Sequence, residues 1–284
     1  MASKVFSVEN SAEVVVARIA RGQAGRPADI LASLVHHLHG FVRETRPTVA
    51  EWRSTIGFLT EIGHATDEKR QEWVLASDLL GVTALLEEIN TPRPTGATPN
   101  TVRGPFYRED APHIANGANI CLDGQGEPLD VAGRIVDLDG KPVAGATVET
   151  WQANGQGFYE NQQPDTQPEF NLRGVLTTDS SGCFSYSTVR PAGYSTPSDG
   201  PVGRLLSGLG CSLRRPAHLH FIVRASGFET ISTHVFDGSD QLLTDDAIFG
   251  VKPELIGKIH RNGNRWTLDF TFVMARAKRE RNAA

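Results

Sequence analysis

Apolar positions in the first ninety residues recur at helical spacing. Ile30, Leu31, Leu34, Val35, Leu38, Phe41 and Val42 make one such stripe, with Pro27 suited to the first turn of its helix. Thr48-Val49-Ala50-Glu51 reads as a capping box that opens a second helix through Trp52, Ile56, Leu59 and Ile62. Thr66, followed by Asp67 and Glu68, predicts a third start. That helix runs through Trp73, Leu75, Asp78 and Leu79 to Gly81, and residues 82–89 continue or restart it. His36, His37 and His39 ride on the first helix; neighbours one apart diverge on a helix, so a solvated face is the expectation there.

Near residue 92 the pattern changes. Only 2 of the 16 prolines and 6 of the 28 glycines precede it, and turn-rich β structure needs many of both. Thr91-Pro92-Arg93-Pro94-Thr95-Gly96 has the composition of a linker. Beyond it, short runs alternate with turns. Residues 129–136 and 144–152, joined by Asp137-Leu138-Asp139-Gly140-Lys141-Pro142, predict a hairpin or a bulged corner. Further strands are expected over 176–178, 184–189, 217–225, 230–236 and 266–274. Such spacing without intervening helices points to a mainly β fold: an antiparallel β-sandwich over 96–284, preceded by a helical domain over 1–95.

Composition narrows the function classes. With 284 residues, 39% hydrophobic content and a net charge of -5, the chain offers no footing for nucleic acid. Its one basic cluster, Arg276 to Arg281, reads as a solvated tail. No leader pattern opens the chain and no apolar run reaches membrane-span length. Three cysteines, Cys121, Cys183 and Cys211, odd in number and without CxxC spacing, suggest reduced thiols and a cytoplasmic protein.

Candidate chemistry sits in the β-rich part. In Arg215-Pro216-Ala217-His218-Leu219-His220-Phe221 a strand turns His218 and His220 to one face, close enough to share a metal ion. Alone, the pair reads equally as two half-buried polar residues. Two of the four tyrosines, Tyr159 and Tyr194, stand in Gly- and Pro-rich loops where packing alone does not ask for an aromatic. Zinc prefers Cys, His and carboxylate, and ferrous oxygenases take two histidines with a carboxylate. Two histidines with two phenolates favour ferric iron. A set of His218, His220 and His234 on zinc or Fe(II) stays open, because the facing of His234 depends on a register the sequence does not display.

The stretches TVRGPFY (101–107), GRIVDLDGKPVAGATVETWQANGQGFY (133–159), RGVLTTDSSGCF (173–184), GYSTPSDGPVG (193–203), RPAHLHF (215–221) and DDAIFGV (245–251) resemble the intradiol ring-cleavage dioxygenases of the catechol and hydroxyquinol 1,2-dioxygenase group. The resemblance implies one non-haem Fe(III) per subunit on Tyr159, Tyr194, His218 and His220. It implies a catalytic role for Tyr194, as the phenolate displaced by substrate, and for Arg215, which stabilises the activated ring. His234 falls where catechol-cleaving relatives commonly carry glutamine. Leu75, Asp78, Gly104, Pro105, Phe106, Pro197 and Ile248 match pocket-lining positions. Arg103 departs from the usual apolar residue there; it either faces the pocket, or points to solvent or pairs with Glu109 or Asp110. Asp78 and His234 tilt the expected substrate toward hydroxyquinol over catechol. Partners implied are a small aromatic diol or triol, O2, and a second copy through the N-terminal helices, with bound lipid. A prealbumin-type binding module without catalysis is the competing reading of the same strands.

Overall fold

The computed structural model describes residues 5–22, 24–68 and 70–277. They form two compact units, Met1–His64 and Ala65–Ala284. In the first, α2 (Arg26–Thr45) and α3 (Val49–His64) follow the predicted pattern, with Pro27 in the first turn of α2, and α1 (Ser11–Ile19) precedes them as a helix the sequence reading did not include. The capping box opens α3: Glu51 accepts from the Thr48 N–H at 2.7 Å and its own N–H donates to Thr48 Oγ1 at 3.2 Å. The stripe of α2 is not buried within its unit; Ile30, Leu31, Leu34, Leu38, Phe41 and Val42 are all exposed. His36 and His37 are exposed as expected, while His39 meets Ser11 Oγ at 3.0 Å.

The second unit opens with α4 (Glu72–Leu79) and α5 (Val82–Asn90), separated by a turn at Gly81. The start expected at Thr66 is too early. Asp67 instead accepts from the Arg70 N–H, closing a turn before the helix, whose N-cap is Gln71. Glu72, fully buried, accepts from Arg70 Nε at 2.9 Å and from the Val202 N–H at 3.1 Å, which holds α4 against α6 (Pro201–Gly208).

The strands are β1 (Pro128–Asp137), β2 (Thr147–Gln152), β3 (Arg173–Thr177), β4 (Cys183–Val189), β5 (Tyr194–Ser195), β6 (Arg214–Arg215), β7 (His218–Arg224), β8 (Ile231–Asp237), β9 (Ile256–Gly257), β10 (Ile259–Asn262) and β11 (Arg265–Met274). One sheet runs β10-β11-β1-β4, a second β3-β2-β7-β8-β9, and β5-β6 make a short ribbon. Their inner faces share one core, including Leu129, Ile135, Phe184, Leu268 and Phe272 from the first sheet and Val148, Leu176, Leu219, Phe221, Val223 and Val235 from the second. The fold is the expected sandwich following N-terminal helices, with one correction. It is mixed rather than purely antiparallel, because β1 pairs with β11, and β8 with β9, in parallel. Of the two alternatives for the turn after β1, hairpin or corner, the structure has the corner: it carries the chain from one sheet to the other.

The run expected to be a linker is anchored. Arg93 reaches Asn100 Oδ1 at 2.7 Å and Glu229 at 3.2 Å. Of the basic C-terminal cluster, Arg276 lies over Phe228 and reaches Asp137 at 3.4 Å; residues 278–281 lie outside the described residues.

Candidate metal centre and substrate pocket

β7 is buried on both faces. Its odd positions fill the sandwich core, so pleat alternation turns His218 and His220 to the other face of the sheet, each 2% exposed. The β7–β8 register sets His220 opposite His234, and the β2–β7 register sets Trp151 opposite His220. Three imidazoles therefore share one face: ring centroids are 4.8 Å apart for His218–His220, 4.8 Å for His218–His234 and 4.4 Å for His220–His234. Trp151 stacks on His220 at 4.5 Å and restricts its rotation.

Tyr159 arrives on the loop after β2, and Tyr194 opens the short strand β5. Tyr159, wholly buried, places its hydroxyl 2.8 Å from His220 Nε2 and 3.5 Å from the Tyr194 hydroxyl. Tyr194 is half-buried and pairs with Arg215 in the β5–β6 ribbon. Gly157, at φ +86, lets the two loops meet, since a Cβ there would lie 2.9 Å from the Tyr194 Cβ. Beside Tyr159, Arg173 donates to Glu160 at 2.7 Å and to the Phe106 carbonyl at 2.6 Å, and Phe106 stacks on Tyr159 at 4.3 Å.

Arg215 is buried and oriented by Asp246. Its Nε and Nη2 donate to the two carboxylate oxygens at 3.0 and 3.3 Å, leaving Nη1 at 3.4 Å from the Tyr194 hydroxyl and 3.3 Å from His218 Nε2. Burial lowers the guanidinium's proton affinity, but Tyr194 and Asp246 hold it above its ordinary value. Arg215 in turn keeps Asp246 below the usual carboxylate range despite burial.

These surroundings fit a cation. Burial, reinforced by Arg215, pushes His218 down to about 3, and burial with neighbouring positive groups pushes His220 and His234 well below their ordinary value. All three rings are thus neutral at physiological pH and keep a lone pair. His218 Nδ1 donates to the Pro216 carbonyl at 2.7 Å, so its lone pair is on Nε2, facing Arg215 and the cluster. Burial and Tyr194 push the Tyr159 phenol well above its ordinary value, so a phenolate there requires a strong positive charge beside it. The three histidines alone form a set that could hold a metal ion.

The other expected pocket residues are placed unevenly. Gly104 backs onto His220: a Cβ built there would lie 3.4 Å from Cε1. Ile248 is buried in the turn that Asp246 closes by accepting from the Gly250 N–H. Asp78 is half-buried on α4, its Oδ1 buried without a partner among the described residues. Desolvation raises its carboxyl, against a Thr83 hydrogen bond and the Arg215 charge. Leu75, half-buried, lies one turn earlier on α4, while Pro105 and Pro197 are exposed. Arg103 is exposed with its guanidinium 4.7 Å over the Tyr107 ring, and Asp110 pairs with Arg108 instead. Trp151, Asp246 and Thr101 escaped the sequence reading as individual residues. Only position marked them: Trp151 alternates with core residues on β2, Asp246 lies in the DDAIFGV stretch, and Thr101 opens TVRGPFY.

Comparison with known proteins now adds the family. The model described as "Dioxygenase" matches residues 102–275, and "Catechol dioxygenase N terminus" matches 25–98. The chain belongs to the intradiol ring-cleavage dioxygenases. It is 48% identical to a hydroxyquinol 1,2-dioxygenase of a Rhizobium species, covering 95% of this chain and 96% of the relative. Among solved structures, a hydroxyquinol 1,2-dioxygenase from Pseudomonas putida superposes with a TM-score of 0.91 at 39% identity, covering 95% of this chain and 99% of that one. A catechol 1,2-dioxygenase from Pseudomonas arvilla gives a TM-score of 0.80 at 27% identity, covering 96% and 94%. This dioxygenase is therefore a ring-cleaving oxidoreductase, and the reading as a non-catalytic binding module is set aside.

The buried Arg215–Asp246 pair yields a stability prediction. Asp246→Leu leaves an uncompensated buried guanidinium and should cost about 3–5 kcal/mol. The double variant Arg215→Met/Asp246→Leu should recover much of that loss in thermal unfolding. A double variant as unstable as Asp246→Leu would contradict it.

Proposed function

We propose that this dioxygenase cleaves hydroxyquinol (benzene-1,2,4-triol) between its two adjacent hydroxyls. One non-haem Fe(III) per subunit is held by Tyr159, Tyr194, His218 and His220. The observation that carries the reading is the convergence of two neutral imidazoles and two phenols on one buried space, beside the fixed charge of Arg215. Supporting the triol, identity is 48% and 39% to two relatives named for hydroxyquinol, against 35% and 27% to two named for catechol.

When bound, Fe(III) supplies the Lewis acidity that lets a diol bind as its dianion and exposes a ring carbon to O2. Of the two protons the diol gives up, the Tyr194 oxygen would take one, as the less buried phenol and the one within reach of Arg215, and the other would leave to solvent. Tyr159, enclosed by Phe106 and His220, stays in place. Arg215 Nη1 offers positive charge where negative charge grows on the ring, and Asp246 keeps it from turning away. Both atoms of O2 enter the product while the ring C–C bond breaks, giving 3-hydroxymuconate or its tautomer maleylacetate. Phe106, Gly104, Ile248 and Leu75 are assigned to the pocket wall, with Arg103, Pro105 and Pro197 at its rim. His234 is assigned to the substrate. Asp78, with its unpartnered oxygen, is assigned to the third hydroxyl.

Residues 1–95 are proposed to join two copies, since α2 leaves its apolar stripe exposed. Lipid bound at that junction is part of the same proposal, to be sought by mass spectrometry of an organic extract. Three free cysteines suit the cytoplasm. Among the described residues no helix is long and apolar enough to cross a membrane.

Three outcomes are expected. Tyr159→Phe and Tyr194→Phe should each lower bound iron, measured by elemental analysis, and abolish most ring cleavage; intact iron and activity in both would favour a centre built on histidines alone. Asp78→Asn should lower kcat/KM for the triol by about 10-fold or more, the worth of a hydrogen bond to a charged group, with a smaller loss for catechol. Equal losses on both substrates would remove Asp78 from the third hydroxyl. Sedimentation should give a dimer, and a monomer at micromolar concentration would rule out the two-copy assembly.

A further inference from the structure

His218 and His234 lie on one face, yet their Nδ1 atoms meet opposite kinds of group. His218 Nδ1 faces the Pro216 carbonyl, which only accepts. His234 Nδ1 lies 2.6 Å from Thr101 Oγ1, a hydroxyl that can donate or accept. The Thr101 backbone is fixed by its N–H, which donates to the Ser232 carbonyl at 2.9 Å. His234 Nε2 is buried with no hydrogen-bond partner among the described residues.

A neutral imidazole carries one N–H and a hydroxyl has one proton to place. If His234 Nδ1–H donated to Thr101, the hydroxyl proton would need another acceptor. Thr101 is only 4% exposed, and among the described residues its Oγ1 has no hydrogen-bond partner other than His234. If the hydroxyl donates to Nδ1, its proton is satisfied and the imidazole proton moves to Nε2. That leaves one unmatched group, an N–H beside His218 and His220, aimed where no protein acceptor stands among the described residues.

We propose that Thr101 is a positioning residue that fixes His234 as its Nε2–H tautomer. His234 is then a hydrogen-bond donor to a hydroxyl-derived oxygen of the bound aromatic diol, and it cannot serve as a third metal ligand, which would need the Nε2 lone pair. The same face thus presents ligating and donating imidazoles, sorted by what stands behind each ring. This assignment rests on the iron-dependent ring cleavage proposed above.

The test compares Thr101→Ser, Thr101→Val, His234→Ala, His234→Gln and the double variant Thr101→Val/His234→Gln. Each is measured for iron per subunit and for kcat and KM on the triol. Glutamine is informative because its amide N–H is a donor without tautomers. All variants should keep the wild-type iron content. Thr101→Val should lose ~10-fold in kcat/KM, the worth of one hydrogen bond, and Thr101→Ser should recover it. In the His234→Gln background Thr101→Val should cost little more, whereas a merely structural role for Thr101 would cost the same in both backgrounds. Loss of iron in His234→Ala and His234→Gln would make His234 a ligand and overturn the proposal. So would Thr101→Val matching Thr101→Ser, or Thr101→Val costing as much in the His234→Gln background as in the wild type. Wild-type protein without iron or ring cleavage would instead sink the functional reading beneath it.

Discussion

Everything at the candidate centre depends on one strand being buried on both sides. β7 must fill the sandwich core with Leu219, Phe221 and Val223, and the pleat then forces His218 and His220 to the opposite face. A slip of one residue would put both imidazoles into the hydrocarbon core and turn the apolar set to the face where His234 and the two tyrosines gather. Core packing, worth about 1.5–3 kcal/mol per large apolar side chain, thereby sets the direction of the two imidazoles. The neighbouring strands follow: His234 and Trp151 take their places only because β8 and β2 are in register with β7.

The second constraint is charge in a space with little water. Buried imidazoles lose their protons, and a buried phenol holds its own unless a cation compensates. Into this setting the fold brings two buried guanidiniums, Arg215 matched by Asp246 and, beside Tyr159, Arg173 matched by Glu160. Asp246 fixes the Arg215 guanidinium by accepting from two of its five N–H groups and leaves Nη1 toward Tyr194 and His218. Such an arrangement favours electrostatic preorganisation over a mobile charge that would have to be ordered during each turnover.

Much of the fold was legible because its signals are local. The expected strand runs at 184–189, 217–225, 230–236 and 266–274 coincide with β4, β7, β8 and β11 to within a residue or so, since period-2 alternation and Gly/Pro punctuation mark them. What the sequence left open or misplaced was long-range. Whether the turn after β1 returns to the same sheet depends on β11 pairing beside β1 from the far end of the chain. Thr66-Asp67-Glu68 carries a helix-start pattern, but the buried Glu72 carboxylate, reaching Arg70 and Val202, sets where α4 begins. In the centre, the His-x-His spacing and the two loop tyrosines were visible as residues. The facing of His234, the two-residue ribbon that pairs Tyr194 with Arg215, and the reach of Asp246 and Thr101 were not, because each is a tertiary contact without a local pattern.

The central claim is that a ferric ion held partly by phenolates chelates the substrate diol. It is tested most directly by the visible spectrum of the purified protein, recorded without O2 before and after adding hydroxyquinol. The account predicts a red-brown protein whose charge-transfer band moves to longer wavelength on addition of the triol, with ring cleavage only when O2 is admitted. A colourless protein, or a band unmoved by saturating substrate, would contradict it.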